Sequence, residues 1–205
     1  MLDDYCEQVT DVMEFKGYLE AIMQILKGKA VHVPEEDRYL FGWNDWWTRV
    51  KDVTHPEWQK RFIDDTEKYL EAQIWEVNNR NNNQVPRVED YIMNRQHTGG
   101  VFPCFDLIEA VDRIYLPPEA RNRIVIELTK AANNLIVWSN DMMSLQKEVV
   151  VGEVHNLIVV LQHQRQISLQ AALDQAAEMH EVEVEKYLNL ERKLFEQKKS
   201  LQRRA

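Results

Sequence analysis

The chain has few of the residues that would indicate a disulfide-stapled or loop-rich protein. Its 205 residues include two cysteines, six glycines and six prolines. Cys6 and Cys104 lie far apart in the chain and lack the spacing of a metal-ligand set, which favours a reduced, intracellular protein. So few glycines and prolines also leave long stretches without an interruption, as helices require.

A basic excess and long apolar runs are absent as well. The net charge is −9, which argues against a general nucleic-acid binder, because such proteins carry a basic surface. An anionic small substrate stays possible, since a bound cation inverts the local charge. No apolar run is long enough to span a membrane, and no secretory signal precedes the first motif. We therefore expect a cytoplasmic protein without a transmembrane segment.

The apolar residues that are present recur at intervals of three and four, which predicts an all-α fold. A hydrophobic content of 44% in 205 residues suits a single domain, which we assign to residues 1–205. Trp43, Trp46 and Trp47 are expected to serve packing. The predicted helices cover residues 3–28, 38–52, 55–80, 87–100, 102–111, 116–153 and the stretch from 168 onward.

Three oxygen-bearing side chains recur at intervals of four in NDMMSLQKE, residues 140–148. In a helix Asn140, Ser144 and Glu148 fall on one face, within roughly 80° of each other. Such hard oxygen ligands suit Mg²⁺ or Mn²⁺ rather than zinc. Lys147 adds a cation beside this face, where a phosphate oxygen would find a partner. The alternative is a solvated helix face.

Two further stretches suggest chemistry. Asp3, Asp4 and Glu7 cluster in LDDYCEQ, where they attract a cation or form an acidic first turn that the helix dipole favours. Arg95 lies one turn before a helix break at Gly99–Gly100, where its planar fork suits a diphosphate. The alternative there is an ordinary helix end with an exposed arginine.

Taken together, these motifs resemble those of bacterial class I terpene synthases, and most closely the cyanobacterial type of sesquiterpene cyclase. The resemblance rests on DDYCE, YIMNRQHTGG, NDMMSLQKE and the continuation VGEVHNLIVVLQHQ, which occur in family order over essentially the whole chain. It implies the class I terpenoid synthase α-bundle, also called the isoprenoid synthase fold. Another acidic pair, Asp64–Asp65, has no facing partner motif, and we interpret it as a solvated face.

The resemblance also assigns roles to individual residues. Two facing motifs would bind three Mg²⁺, with Mn²⁺ as a substitute, and these ligands are Asp3, Asp4, Glu7, Asn140, Ser144 and Glu148. Arg95 would sense the diphosphate and, with Thr98 and Gly99 at the helix break, would help to trigger ionisation. Lys147 would contact the diphosphate. Aromatic residues near the motifs would line the apolar cavity, namely Tyr91, Phe102, Phe105 and Trp138.

The implied activity is Mg²⁺-dependent ionisation and cyclisation of farnesyl diphosphate to a sesquiterpene, with release of diphosphate. Relatives in this family carry helices before the acidic motif and an Arg-Tyr pair near the C-terminus, so we expect a bundle that is incomplete at both ends. The competing hypothesis is a catalytically inactive, synthase-derived helical fragment or interaction protein. A prenyl-chain-elongating enzyme is a third hypothesis, and either a monomer or a homodimer fits.

Overall fold

The computed structural model describes residues 11–33 and 37–202, and every regular element in these ranges is helical. This agrees with the predicted all-α class. The α-helices are α1 (Val12–Leu26), α2 (Arg38–Lys51), α3 (Pro56–Asn81), α4 (Val88–Thr98), α5 (Val101–Val111), α6 (Arg123–Val151), α7 (Leu157–Arg165) and α8 (Leu169–Gln202). A short 3₁₀ helix at Pro118–Ala120 precedes α6.

Side chains placed just before the helices explain where several of them begin. Asp11 accepts hydrogen bonds from the backbone N–H groups of the first turn of α1, and Asp37 does the same for α2. His55 caps α3, whose first residue is Pro56. A side-chain acceptor at this position satisfies backbone donors that the helix itself leaves unpaired.

Most predicted helices have the expected bounds, but the single helix predicted over residues 116–153 is wrong. Asn122 lies in extended conformation, and its side chain accepts from the N–H groups of Ile124 and Val125. It therefore starts a new helix, α6, after the 3₁₀ turn. The helix predicted at residues 3–28 agrees with α1 at its C-terminal end, whereas residues 1–10 lie outside the described residues.

The helices are grouped in two compact units. The first contains the described residues up to Asn82 together with Phe102–Tyr115, and the second contains Asn83–Val101 and the described residues from Leu116 onward. The assignment of residues 1–205 to one domain stays a prediction.

The first unit is built around an aromatic core. Trp47, Trp58 and Phe62 are buried and stacked, with ring centroids of Phe62 5.8 Å from Trp47 and 5.2 Å from Trp58. Trp43 and Trp46 pack against this core, so the three tryptophans of α2 serve packing as predicted. Asp64 of α3 is exposed, and the half-buried Asp65 pairs with Lys68 at 3.3 Å.

The second unit is arranged around α6, against which α4, α7 and α8 pack. The start of α7 is fully buried, including Leu157, Ile158 and Leu161. Within the described ranges, none of the helices is both long and apolar enough to cross a bilayer.

Candidate active site

Arg95 of α4 lies against the middle of α6, and its guanidinium group contacts residues of both helices. Its Nε donates to Oδ1 of Asp141 at 2.9 Å, and its Nη2 lies 2.7 Å from the same oxygen. Nη2 also donates to Oδ1 of Asn140 at 3.0 Å, and Nη1 is 3.4 Å from the hydroxyl of Thr98. The predicted diphosphate arginine and the first residue of the predicted metal face are therefore in direct contact.

Asp141 holds this arrangement together from inside the unit. It is 1% exposed, and besides Arg95 it accepts a hydrogen bond from the hydroxyl of Tyr91 at 2.6 Å and one from the N–H of Leu157 at 3.1 Å. Burial raises the pKa of Asp141, while the charge of Arg95 and the hydrogen bonds from Tyr91 and Leu157 act in the opposite direction. One carboxylate thus joins α4, α6 and α7.

The three oxygen-bearing residues of α6 retain the capacity to bind a cation. The Ser144 hydroxyl donates to the carbonyl of Asn140 at 2.7 Å, which leaves the lone pairs of the hydroxyl oxygen available. Oε2 of Glu148 accepts from Nδ2 of Asn156 at 2.8 Å. Asn140 is exposed, and Ser144 and Glu148 are half-buried.

This donor set fits Mg²⁺, because all three atoms are hard oxygens on successive turns of one helix. Within the described ranges no group of three His, Cys, Asp or Glu residues is placed to hold a metal. Asn140, Ser144 and Glu148 would hold a metal through a mixed set of amide, hydroxyl and carboxylate oxygens.

The helix break predicted after Arg95 is present and is tightly packed. α4 ends at Thr98, which is buried, and α5 begins at Val101. A Cβ atom added to Gly99 would lie only 2.5 Å from Cγ1 of Val137 on α6, so glycine is required there by close approach. Nδ2 of Asn133, one turn before Val137 on α6, donates to the carbonyl of Gln96 at 2.6 Å and so joins the end of α4 to α6.

The remaining predicted residues differ in what the structure shows. Lys147 is exposed on α6, next to Glu148 in sequence. Trp138 is buried in the second unit, and Tyr91 is fully buried with its hydroxyl on Asp141. Phe102 and Phe105 belong to the first unit, while Asp3, Asp4 and Glu7 lie outside the described residues. The roles assigned to all of them stay predictions.

Two residues that join the site were not identified from the sequence. Asp141 directly follows Asn140, and Asn156 lies in the GEVHNL continuation, but neither falls on the face of α6 that the spacing of four singles out. The available signal was a polar residue next to an apolar run, as Asn156 is next to LIVVL. Such a residue becomes buried with the run and then requires hydrogen-bond partners.

The chain is similar in sequence to known proteins over most of its length. The profile of the family described as terpene synthase family 2, C-terminal metal binding, matches residues 1–186. A (+)-T-muurolol synthase, (2E,6E)-farnesyl diphosphate cyclizing, from Roseiflexus castenholzii is 35% identical over 89% of this chain and 57% of its own length. A 10-epi-cubebol synthase from Sorangium cellulosum is 36% identical over 92% of this chain and 61% of its own length.

Solved structures show the same fold. Hedycaryol synthase in complex with HEPES superposes with a TM-score of 0.81 at 23% identity, over 96% of this chain and 62% of that one. The chain spans roughly three fifths of the length of these relatives. The superposition shows that the chain has the all-α isoprenoid synthase fold, and the matching profile shows that it belongs to the terpene synthase family.

Proposed function

We propose that the protein acts in a class I terpene synthase reaction, in which farnesyl diphosphate is ionised with Mg²⁺ and cyclised to a sesquiterpene. The name of the Roseiflexus relative specifies a farnesyl diphosphate cyclizing synthase, and the matching family is described by its metal binding. The second unit contributes Arg95, Lys147 and the oxygen-bearing face of Asn140, Ser144 and Glu148.

The observation that carries this proposal is the 3.0 Å contact between Arg95 Nη2 and Asn140 Oδ1. It places a planar cation with several donors beside the helix face that offers three oxygen ligands. A diphosphate needs both, because its own oxygens ligate the metal and also accept hydrogen bonds from arginine.

The residues of the chain then have distinct tasks. Asn140, Ser144 and Glu148 would hold Mg²⁺, with Asp3, Asp4 and Glu7 as the proposed second set of ligands. When bound, Mg²⁺ neutralises charge on the leaving diphosphate. Arg95 and Lys147 bind the diphosphate oxygens, and Arg95 changes partners from Asn140 to the substrate as it does so. Apolar side chains around the bound substrate would exclude water from the carbocation.

Turnover of farnesyl diphosphate by the purified chain tests this function. We expect a Mg²⁺-dependent cyclic C15 product by gas chromatography–mass spectrometry, and loss of that product in Glu148→Ala and Asn140→Ala. Gln146→Ala is the matched control, because Gln146 is exposed on α6 but lies off the ligand face. Full activity of both ligand variants would contradict the proposal.

Other products of the same assay separate the competing hypotheses. A longer linear diphosphate formed after addition of isopentenyl diphosphate would indicate chain elongation. An intact helical fold by circular dichroism, without any product and without thermal stabilisation by Mg²⁺ and pyrophosphate, would indicate the catalytically inactive helical protein.

A further inference from the structure

Asn156 is the buried polar residue that links the start of α7 to the proposed metal face. It is fully buried, and its side chain makes three contacts. Oδ1 accepts from the N–H of Ile158 at 2.9 Å and so caps α7. Nδ2 donates to the carbonyl of Asp141 at 2.7 Å and to Oε2 of Glu148 at 2.8 Å.

The chemistry of these partners fixes which end of the amide faces which group. The N–H of Ile158 is a donor only, so an oxygen must face it. The carbonyl of Asp141 and the carboxylate of Glu148 are acceptors, so an NH₂ group must face them. An asparagine satisfies all three contacts, whereas an aspartate of the same shape would present an oxygen to two oxygen acceptors.

The preceding loop brings Asn156 back to α6. Gly152 ends α6 in the left-handed conformation with φ 74°, which reverses the chain at little cost for glycine. Oε1 of Glu153 then accepts from the N–H groups of Val154 and His155, both at 2.9 Å. Asn156 therefore meets Glu148 only eight residues later in the chain, across a loop with its own hydrogen bonds.

The contact restricts Glu148 in a way that suits a metal ligand. Oε2 is held by Asn156, while Oε1 accepts no hydrogen bond within residues 11–33 and 37–202. One carboxylate oxygen is thus fixed and the other is left for a cation. Partners of this kind orient a metal ligand before the metal arrives, and their loss commonly weakens metal binding about 10- to 100-fold.

We propose that Asn156 is a positioning residue that holds the Glu148 carboxylate in its metal-binding orientation. This inference rests on the proposed function, because it requires Glu148 to bind the metal. Asn156 itself touches neither metal nor substrate and acts through Glu148. The GEVHN loop then belongs to the metal site as the segment that delivers the Nδ2 donor.

Mn²⁺ binding in the presence of inorganic pyrophosphate provides a test that does not depend on turnover. Free Mn²⁺ is quantified by electron paramagnetic resonance for the whole chain and for Asn156→Ser. Serine caps helices about as well as asparagine, so this variant keeps the start of α7 but cannot reach Glu148. We expect its Mn²⁺ affinity to fall about tenfold or more.

Asn122→Ser is the matched control. Asn122 also caps a helix through its side-chain oxygen, which accepts from the N–H groups of Ile124 and Val125, and within the described residues its side chain makes no other hydrogen bond. Its Mn²⁺ affinity should equal that of the unchanged chain. A double-mutant cycle tests whether Asn156 acts through Glu148. In a Glu148→Gln background, Asn156→Ser should change the Mn²⁺ affinity less than twofold, because the partner through which Asn156 acts is already altered.

A second measurement on the unchanged chain covers the case in which Asn156→Ser does not fold. The side-chain amide signal of Asn156 in a ¹⁵N-labelled sample should shift on titration with Mg²⁺ and pyrophosphate, whereas that of Asn122 should not. Unchanged Mn²⁺ affinity in Asn156→Ser, an undiminished effect in the Glu148→Gln background, or an unmoved Asn156 signal would each overturn the positioning role. Absence of Mn²⁺ binding by the unchanged chain would instead overturn the proposed function, and this inference with it.

Discussion

Both units of the molecule bury polar as well as apolar side chains, and they differ in what holds their centres together. The first unit has an aromatic and aliphatic core in which Trp47, Trp58 and Phe62 stack. In the second unit the polar residues Asp141 and Asn156 are among the least exposed. The first arrangement gains stability from removing apolar surface from water. The second loses part of that gain, because each buried polar group must find a partner.

The buried polar groups of the second unit fix the positions of the side chains that they contact. Asp141 alone joins three helices through Arg95, Tyr91 and Leu157, and it orients the arginine assigned to the diphosphate. An apolar residue at this position would pack but could not direct a guanidinium group. The comparison indicates that the buried polar network of the second unit fixes the geometry of its side chains, whereas the aromatic core of the first unit contributes through packing. Substitutions in matched pairs, one from each unit, test this distinction.

The largest difference is expected between two aspartates that pair with arginines. Asp141→Ala leaves the 12%-exposed side chain of Arg95 without its carboxylate, which should lower the free energy of unfolding by about 3–5 kcal/mol. Asp45→Ala in the first unit removes an exposed pair with Arg49 and should cost less than about 1 kcal/mol. Urea denaturation measures both, and equal losses would contradict the distinct role of the buried network.

A second pair concerns glycines in helical conformation. Gly99→Ala forces a methyl group to 2.5 Å from Val137 and should cost about 1–3 kcal/mol by overpacking. Gly17→Ala in α1 meets no atom within 4 Å and should stabilise the first unit by about 0.5–1 kcal/mol. Thermal denaturation distinguishes the signs.

Removal of the Val137 side chain provides the control for the Gly99→Ala prediction. In a Val137→Ala background, Gly99→Ala should cost less than it does alone, because the obstructing Cγ1 atom is gone. Strictly additive losses would show that Val137 is not what excludes a side chain at position 99.

The smallest effect separates two buried tryptophans. The indole N–H of Trp58 donates to the carbonyl of Asp106 at 2.7 Å, whereas that of Trp138 has no hydrogen-bond partner in the part of the chain that the structure describes. Trp58→Phe should therefore cost about 1 kcal/mol more than Trp138→Phe. Chemical denaturation of both variants measures the difference, and a larger loss for Trp138→Phe would contradict this assignment of partners.

Much of the fold could be predicted from the sequence, since periodic apolar residues and caps act locally. The aromatic stretch at residues 38–52 and the long segment that begins at Pro56 became α2 and α3 with nearly the expected bounds. The prediction of one helix over residues 116–153 was wrong because the sequence at Asn122 is compatible with both a helix-surface residue and a helix cap. Only the extended conformation of Asn122 decides between them.

Part of the candidate site could also be predicted from the sequence, because that part depends on a local pattern. A spacing of four places Asn140, Ser144 and Glu148 on one face, and this prediction requires only that the segment is a helix. The contacts of Asp141 and Asn156 depend on how α4 and α7 pack against α6, and such pairings between distant segments leave no periodic signal. Tyr91 illustrates the limit, because the hydrogen bond from its hydroxyl to Asp141, fifty residues later in the chain, leaves no sequence signal. Its predicted place in a cavity wall stays a prediction.

The most direct test of the central claim is a crystal structure of the chain with Mn²⁺ and pyrophosphate, with the metal located by its anomalous scattering. The account predicts an anomalous peak at ligand distance, about 2 Å for a Mg²⁺-like ion, from oxygens of Asn140, Ser144 and Glu148. It also predicts pyrophosphate within hydrogen-bond distance of Arg95. A metal bound elsewhere, with these three oxygens facing only water, would contradict it.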